Sequence, residues 1–255
     1  MSRPIRSERP PTRTNPKAMR RRWYAGRMRP LTSVVVPIRG EEPPSPAFLA
    51  ALGRPGGPDG IELLVTADDS TPAAVLAAWE AAGARVRTSP EPRGTRQREA
   101  ARSATGHVLL FLHADTVLPG GWREEVEGAI ASGAVAGAFR LAFEGGGARL
   151  ALVALAANLR TALTRIPYGD QAPFVRRDAY ERLGGHSPWP LLEDVDLFRR
   201  LRREGRVALL PDSVRTSPRR YLEKGILRTA LTNRWVLLRF ALGASPVTLA
   251  RTYRS

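Results

Sequence analysis

The sequence predicts an α/β protein: a single domain on a mostly parallel central sheet, with helices over the sheet and more helices at the C-terminal end. Three observations carry this expectation. From Leu31 onward, short β-branched runs alternate with helical segments. The runs are apolar on both faces, as a sheet covered on two sides requires. The chain has 255 residues, 43% of them hydrophobic, which is enough for one large core.

The elements follow in order. "LTSVVVPI" (31–38) reads as a buried strand, and "SPAFLAAL" (45–52) as a helix with Pro46 in its first turn. "IELLVTA" (61–67) is the second strand, and Thr71-Pro72 is expected as N-cap and N1 of a helix reaching Ala82. A short strand "ARVRTS" (84–89), a helix from Thr95 to Ala104 and the apolar strand "HVLLFL" (107–112) come next. Beyond them the pattern loosens: a strand at 134–143, a helix from Ala148 to Leu163, a strand "APFVRR" (172–177) and a helix "DAYERLGG". "EDVDLFRRLRREG" has acid at its start, Arg toward its end and Gly205 as a stop, which suits a helix. Residues 206–220 read as extended and 220–253 as helices with broad apolar faces; no internal repeat is present.

The net charge is +16, and residues 1–27, with eight Arg and one Lys against one Glu, supply +8 of it. This proline-bearing segment (1–30) is expected to be a disordered basic tail, or to precede a true start at Met28. A nucleic-acid binder should cluster its charge on the folded domain. Here the densest cluster is the tail, so nucleic acid is not the expected partner. With no cysteine, thiolate metal sites and disulfides are excluded, which suits a reducing, cytoplasmic compartment. No apolar window is long enough to span a membrane. The stretch 226–254 mixes Arg with Trp235, Leu237, Leu238 and Phe240 at helical spacing; it is either core or a face for an anionic membrane surface.

In open parallel sheets, ligands sit beyond the carboxyl ends of the strands. Arg39 and Glu41, Asp68 and Asp69, Arg93 and Gln97, and His113 and Asp115 all fall there. Asp115 is either a divalent-ion ligand or a turn cap before Pro119; His113 reads more readily as a hydrogen-bonded support. Of Glu193, Asp194 and Asp196, one would suffice to cap a helix, so a carboxylate there is a candidate general base. Asp68-Asp69-Ser70 is either an ordinary turn or a reader of a base or ribose. Tyr168-Gly169-Asp170-Gln171 precedes a strand. The basic pairs Arg176-Arg177 and Arg219-Arg220 would neutralise a diphosphate if they converged on the crevice.

Taken together and in order, "SVVVPIRGEE", "RGTRQREAARSATGHVLLFLHADTVLP", "YGDQAPFVRR", "LLEDVDLFRRLRREG" and "LARTYRS" resemble the family-two glycosyltransferases. Within them the resemblance is to the bacterial radical-SAM/selenodomain-associated subgroup, and it covers about Thr32 to Arg254. It implies a GT-A fold, a nucleotide-diphosphate sugar donor, a divalent metal (Mn²⁺ or Mg²⁺) and inversion at the anomeric carbon. By position, Asp115 matches the last acid of the metal-binding Asp-x-Asp motif, with His113 standing at its first acid. Asp194 matches the catalytic base, and Asp68 or Asp69 the acid that reads the nucleoside base. Two places depart from the pattern: the base-reading loop is one glycine short, and Arg39-Gly40 replaces neutral or amide residues.

The expected organisation is therefore a nucleotide-binding half (31–131), an acceptor and catalytic half (132–217) and C-terminal helices (218–255). Arg93, Gln97, Arg219 and Arg220 are expected on the donor, Tyr168, Asp170, Gln171 and Glu193 on a hydroxyl acceptor. A lipid-linked acceptor would bring the protein to the inner face of the membrane. The competing expectation is a protein of the same fold that binds nucleotide sugars without turnover.

Overall fold

The computed structural model describes residues 32–53, 55, 61–145 and 147–254. The expected basic tail and the Met28 start lie outside the described residues.

Strands β1 (Thr32–Pro37), β2 (Ile61–Ala67), β3 (Arg85–Thr88) and β4 (Val108–Phe111) alternate with helices α1 (Pro46–Leu52), α2 (Ala73–Ala81) and α3 (Arg93–Ser103). All four strands run parallel, with β1 between β2 and β4. The rest of the chain contributes β5 (Thr116–Val117), α4 (Trp122–Ala131), β6 (Ala136–Phe143), α5 (Gly147–Thr164) and a 3-10 turn at Gly169–Gln171. It continues through β7 (Phe174–Arg176), α6 (Arg177–Arg182), α7 (Glu193–Glu204), β8 (Val207–Thr216), α8 (Arg219–Lys224), α9 (Ile226–Ala241) and α10 (Pro246–Arg254). The sheet order is β3-β2-β1-β4-β7-β6-β8-β5.

Alternation along the strands explains the two-sided burial. Val34 and Val36 of β1 face one core with Phe48, Trp79, Trp122 and Val126 from α1, α2 and α4. Val35 faces the other, with Ala100, Tyr180, Leu197 and Phe198 from α3, α6 and α7. Each core has a sheet face as its floor and helices as its roof.

Several expectations need correction. The helix after β2 has Pro72 as its N-cap, not Thr71. The Thr71 hydroxyl instead donates to Asp68 Oδ1 at 3.3 Å, because the carboxylate one turn back competes for it. Helix α4 and strand β5 were not expected: α4 opens at Gly121 in the left-handed conformation without a side-chain cap, so its boundary carries no sequence flag. The extended segment ends at Thr216, and Arg219 begins a helix instead of extending a strand.

One departure from parallel order builds the site. β7 pairs antiparallel with both β4 and β6, so the residues that precede β7, Tyr168 to Gln171, arrive beside the end of β4 where His113 and Asp115 lie. β8 runs parallel to β6, and its last residue, Thr216, pairs with Thr116 of β5.

Candidate active site

A cleft of about 250 Å³ opens at this edge, lined among others by Arg93, His113, Asp115, Tyr168, Asp170, Glu193, Asp194 and Arg220. Eight of the residues singled out from the sequence therefore meet in one place.

Asp194 sits in the first turn of α7, half-buried, and backbone N–H groups hold both its oxygens. Gly169 donates to Oδ2 at 2.6 Å and Val195 to Oδ1 at 2.7 Å. The preceding Leu192 is in the left-handed region with φ 65°, a costly backbone for a non-glycine residue. That bend turns Glu193 inward and Asp194 toward the cleft. Asp196, the third acid, is structural: its Oδ2 accepts from Ser187 Oγ and Arg200 Nη2, both at 2.7 Å.

Arg93, at the start of α3, links two walls. Its Nη2 lies 2.8 Å from His113 Nε2 and its Nε lies 2.9 Å from Glu193 Oε1. The Nε approach is an ion pair without hydrogen-bond alignment, since neither atom finds a hydrogen-bond partner. The guanidinium has only donors, so His113 Nε2 accepts and the ring proton belongs on Nδ1. Burial, with Arg93 adding to it, holds the His113 imidazole down at about 3, so it is neutral. Burial raises the Glu193 carboxyl to about 7; Arg93 opposes this and Asp194 adds to it.

Close packing makes this corner depend on glycine. A Cβ on Gly169 would lie 2.7 Å from His113 Nε2, and one on Gly94 would lie 2.0 Å from the Ser187 carbonyl oxygen.

Asp115 follows β4. Its Oδ1 accepts from the hydroxyls of Thr116 and Thr216 at the long distances of 3.4 and 3.5 Å. Burial raises its carboxyl above the ordinary range despite these contacts. Asp170 is pushed up to about 6 by burial, with Arg160 opposing and Asp194 and Asp115 adding. Glu42, just after β1, is raised by burial and by the Asp115 charge against the Arg39 N–H. Among the described residues, no three acid or imidazole groups come together as a ligand set. With His113 Nε2 against Arg93, the Asp115 carboxylate is the candidate ligand left at the end of β4. That fits an ion whose remaining ligands are water and substrate phosphates.

Five expected site residues do not line the cleft. Gln171 is fully buried: its Oε1 accepts from Thr161 Oγ1 at 2.7 Å and its Nε2 donates to the Phe139 carbonyl at 3.2 Å, so it supports the turn from below. Gln97 is buried within α3 at 2% exposure. Asp68, at the end of β2, accepts at Oδ1 from the Ser70 hydroxyl at 2.6 Å and faces Arg39 at 3.4 Å. Burial works to raise its carboxyl, but the Ser70 and Thr71 bonds and the Arg96 charge leave it lowered. Asp69 beside it is exposed. Arg219 is exposed and stands 4.0 Å from Glu42. The other basic pair, Arg176-Arg177, sits at the far end of β4, where Arg176 pairs in register with Val108 and Arg177 bonds to Glu181.

Sequence reasoning missed Arg160, whose guanidinium stacks over the Tyr168 ring at 3.2 Å, and Tyr253, on which Arg220 stacks at 3.8 Å. Arg160 carried a signal: α5 holds only two charged residues, Arg149 and Arg160. It also missed Glu42, overshadowed by Glu41, and Asn233 and Tyr221, which line the cleft from the C-terminal helices.

A parallel nucleotide-binding sheet, one antiparallel crossing at its centre and a cleft rimmed by acids and arginines define the GT-A class of α/β transferase domains. The chain belongs to glycosyl transferase family 2, whose profile matches residues 33–181. Solved structures show the same fold at low identity. The Pyrobaculum calidifontis mannosyltransferase PcManGT, in complex with GDP-Man and Mn²⁺, is 19% identical with a TM-score of 0.59, over 89% of this chain and 68% of that one. Residues 1–349 of S. aureus TarS are 16% identical with a TM-score of 0.57, over 79% of this chain and 65% of that one. Glucosyl-3-phosphoglycerate synthase from Mycobacterium tuberculosis, in complex with phosphoglyceric acid, is 19% identical with a TM-score of 0.50, over 74% of this chain and 70% of that one. The chain thus spans 65% of the truncated TarS and 39% of the longer TarS structure. No curated protein matches the chain in sequence.

Proposed function

We propose that the protein transfers a sugar from a nucleotide-diphosphate donor to an acceptor hydroxyl, with inversion at the anomeric carbon. The observation that carries this reading is the placement of Asp194. It is a carboxylate fixed by two backbone donors, in the same cleft as Asp115 and at the start of a helix whose dipole favours its charge.

The donor lies over the strand ends, its base toward the Asp68-Asp69 turn and its diphosphate toward Asp115. A divalent ion held there by Asp115 and the diphosphate would supply Lewis-acid stabilisation of the leaving group. Arg220, on the wall opposite, adds fixed positive charge where the phosphate departs. Asp194 accepts the proton of the acceptor hydroxyl as its oxygen attacks the anomeric carbon from the face opposite the diphosphate. One displacement needs one base and no second carboxylate nucleophile. Arg93 and Glu193 hold the cleft wall behind Asp194, and neutral His113 keeps the Arg93 fork in place. The bacterial radical-SAM/selenodomain-associated subgroup and a lipid-linked hydroxyl acceptor belong to the same proposal.

The test is transfer or donor hydrolysis with a panel of nucleotide sugars and Mn²⁺. Loss of turnover in Asp194→Asn with donor binding retained supports the reading; near-normal turnover in that variant sinks it.

A further inference from the structure

We propose that the outward faces of α5 and α9 form a docking surface for an anionic lipid bilayer, setting the cleft beside the membrane. This rests on the transferase reading only for its purpose, not for its evidence.

The first observation is an apolar surface with nothing over it. On α5, Leu152, Leu155, Leu159 and Leu163 are 66, 63, 58 and 76% exposed, and their spacing puts them on one side of the helix. The inner side of the same helix buries Leu150, Ala154 and Thr161. A helix apolar on both sides is stable only when both are covered. On α9 and at its C-cap, Leu227, Leu231, Leu238 and Leu242 are 72, 57, 58 and 76% exposed, with Trp235 among them at 41%. The two helices pack against each other. Patches of this extent mark interaction sites.

The second observation is charge, and it selects the occupant. Helices α5, α9 and α10 together contain seven arginines and no acidic residue. Arg228, Arg234 and Arg239 stand on α9 itself, exposed beside the leucines. Beside them a groove lined by Arg220, Lys224, Arg228, Leu231 and Trp235 contains no carboxylate. A second copy would bring arginines against arginines. Anionic headgroups would instead pair with them while the acyl boundary receives the leucines and Trp235. None of the described helices is long and apolar enough to cross the bilayer, so the contact is interfacial.

The third observation is position. Inner residues of α9, among them Thr229, Asn233 and Val236, line the cleft, and Arg160 of α5 stacks on Tyr168 within its wall. The same helices present one side to the reaction and the other to solvent, so an acceptor anchored in lipid would reach Asp194 without leaving the surface.

The experiment uses the full chain and co-sedimentation with vesicles of phosphatidylglycerol and phosphatidylcholine, against phosphatidylcholine alone. Leu155→Ser with Leu159→Ser, and separately Leu238→Ser with Leu242→Ser, leave the net charge and any contribution of residues 1–31 unchanged. Binding to the anionic vesicles is expected, with each pair weakening partition by about tenfold or more. Brominated lipid should quench emission in the wild type more than in Trp235→Phe. Unchanged partition in either pair overturns the two-helix surface, and so does a dimer in light scattering that either pair dissolves. Donor hydrolysis in lipid-free buffer reads the transferase proposal separately and should be the same in both pairs as in wild type.

Discussion

Arg93 touches His113 and Glu193 at once, at 2.8 and 2.9 Å, and so ties the end of β4 to the start of α7. These two segments carry Asp115 and Asp194. Arg93→Lys keeps the charge but not the fork, and lysine cannot reach both partners with fixed geometry. Turnover should fall by about 10²-fold, as loss of positioning does. KM for the donor should change less, and circular dichroism should report an intact fold.

Asp194→Asn retains shape and loses basicity. The rate of transfer should fall by about 10²- to 10⁴-fold, the range for loss of a general base. Donor affinity, measured by calorimetry, should stay within a few-fold of wild type.

Asp115→Asn removes the charge that the edge of β4 offers. Stabilisation of the protein by a nucleoside diphosphate with Mn²⁺, read as a shift in Tm, should shrink toward that seen with the nucleotide alone. An equal shift in both proteins would separate Asp115 from the ion.

Gly169→Ala forces a Cβ to 2.7 Å from His113 Nε2 and displaces the N–H that holds Asp194. Activity should drop by more than the fold does: the stability loss should be about 1–3 kcal/mol by urea denaturation, as for other overpacked sites.

His186 is 2% exposed, shares a 2.9 Å hydrogen bond between its Nδ1 and the Tyr180 hydroxyl and packs edge-on against Phe111. Burial, with Arg93, Arg200 and Arg98 adding to it, holds its pKa at about 3, below the unfolded value of 6.5. The unfolded chain therefore takes up the proton first. Stability is fully present above about pH 6.5 and declines as the pH falls toward 3, by up to about 1.4 kcal/mol per pH unit. His113 contributes in the same direction. His186→Gln, which keeps a side chain able to hydrogen-bond Tyr180 but does not titrate, should lessen the fall of the urea midpoint between pH 6 and pH 4, with His113 supplying the remainder.

The alternating first half was legible because buried parallel strands are continuous apolar runs, and the residues beyond their ends are placed by topology alone. Asp115 and Arg93 were singled out that way, whereas Asp194 was singled out by the excess of acids at a helix start and by the family resemblance. Gln171 was read as a site residue for its neighbours, yet its amide satisfies Thr161 and Phe139 from beneath, and sequence does not say which way a side chain faces. Tyr253 was missed because its stacking partner Arg220 lies two helices earlier, which leaves no local pattern, and Arg160 was passed over although it stacks on the nearby Tyr168. The antiparallel course of β7 was equally hidden: three residues, Phe174–Arg176, are too few to show direction.

That short strand also governs how the domain can move. Hydrogen bonds run without interruption from β4 through β7 to β6, so the sheet that supports Asp115 and the one that supports Phe139 are the same object. No hinge runs through the ladder between them, so any opening and closing over the cleft falls to the segments hung outside it, above all the chain after Thr216. Changes to that outer chain would accordingly reshape the cleft while the sheet stays as it stands.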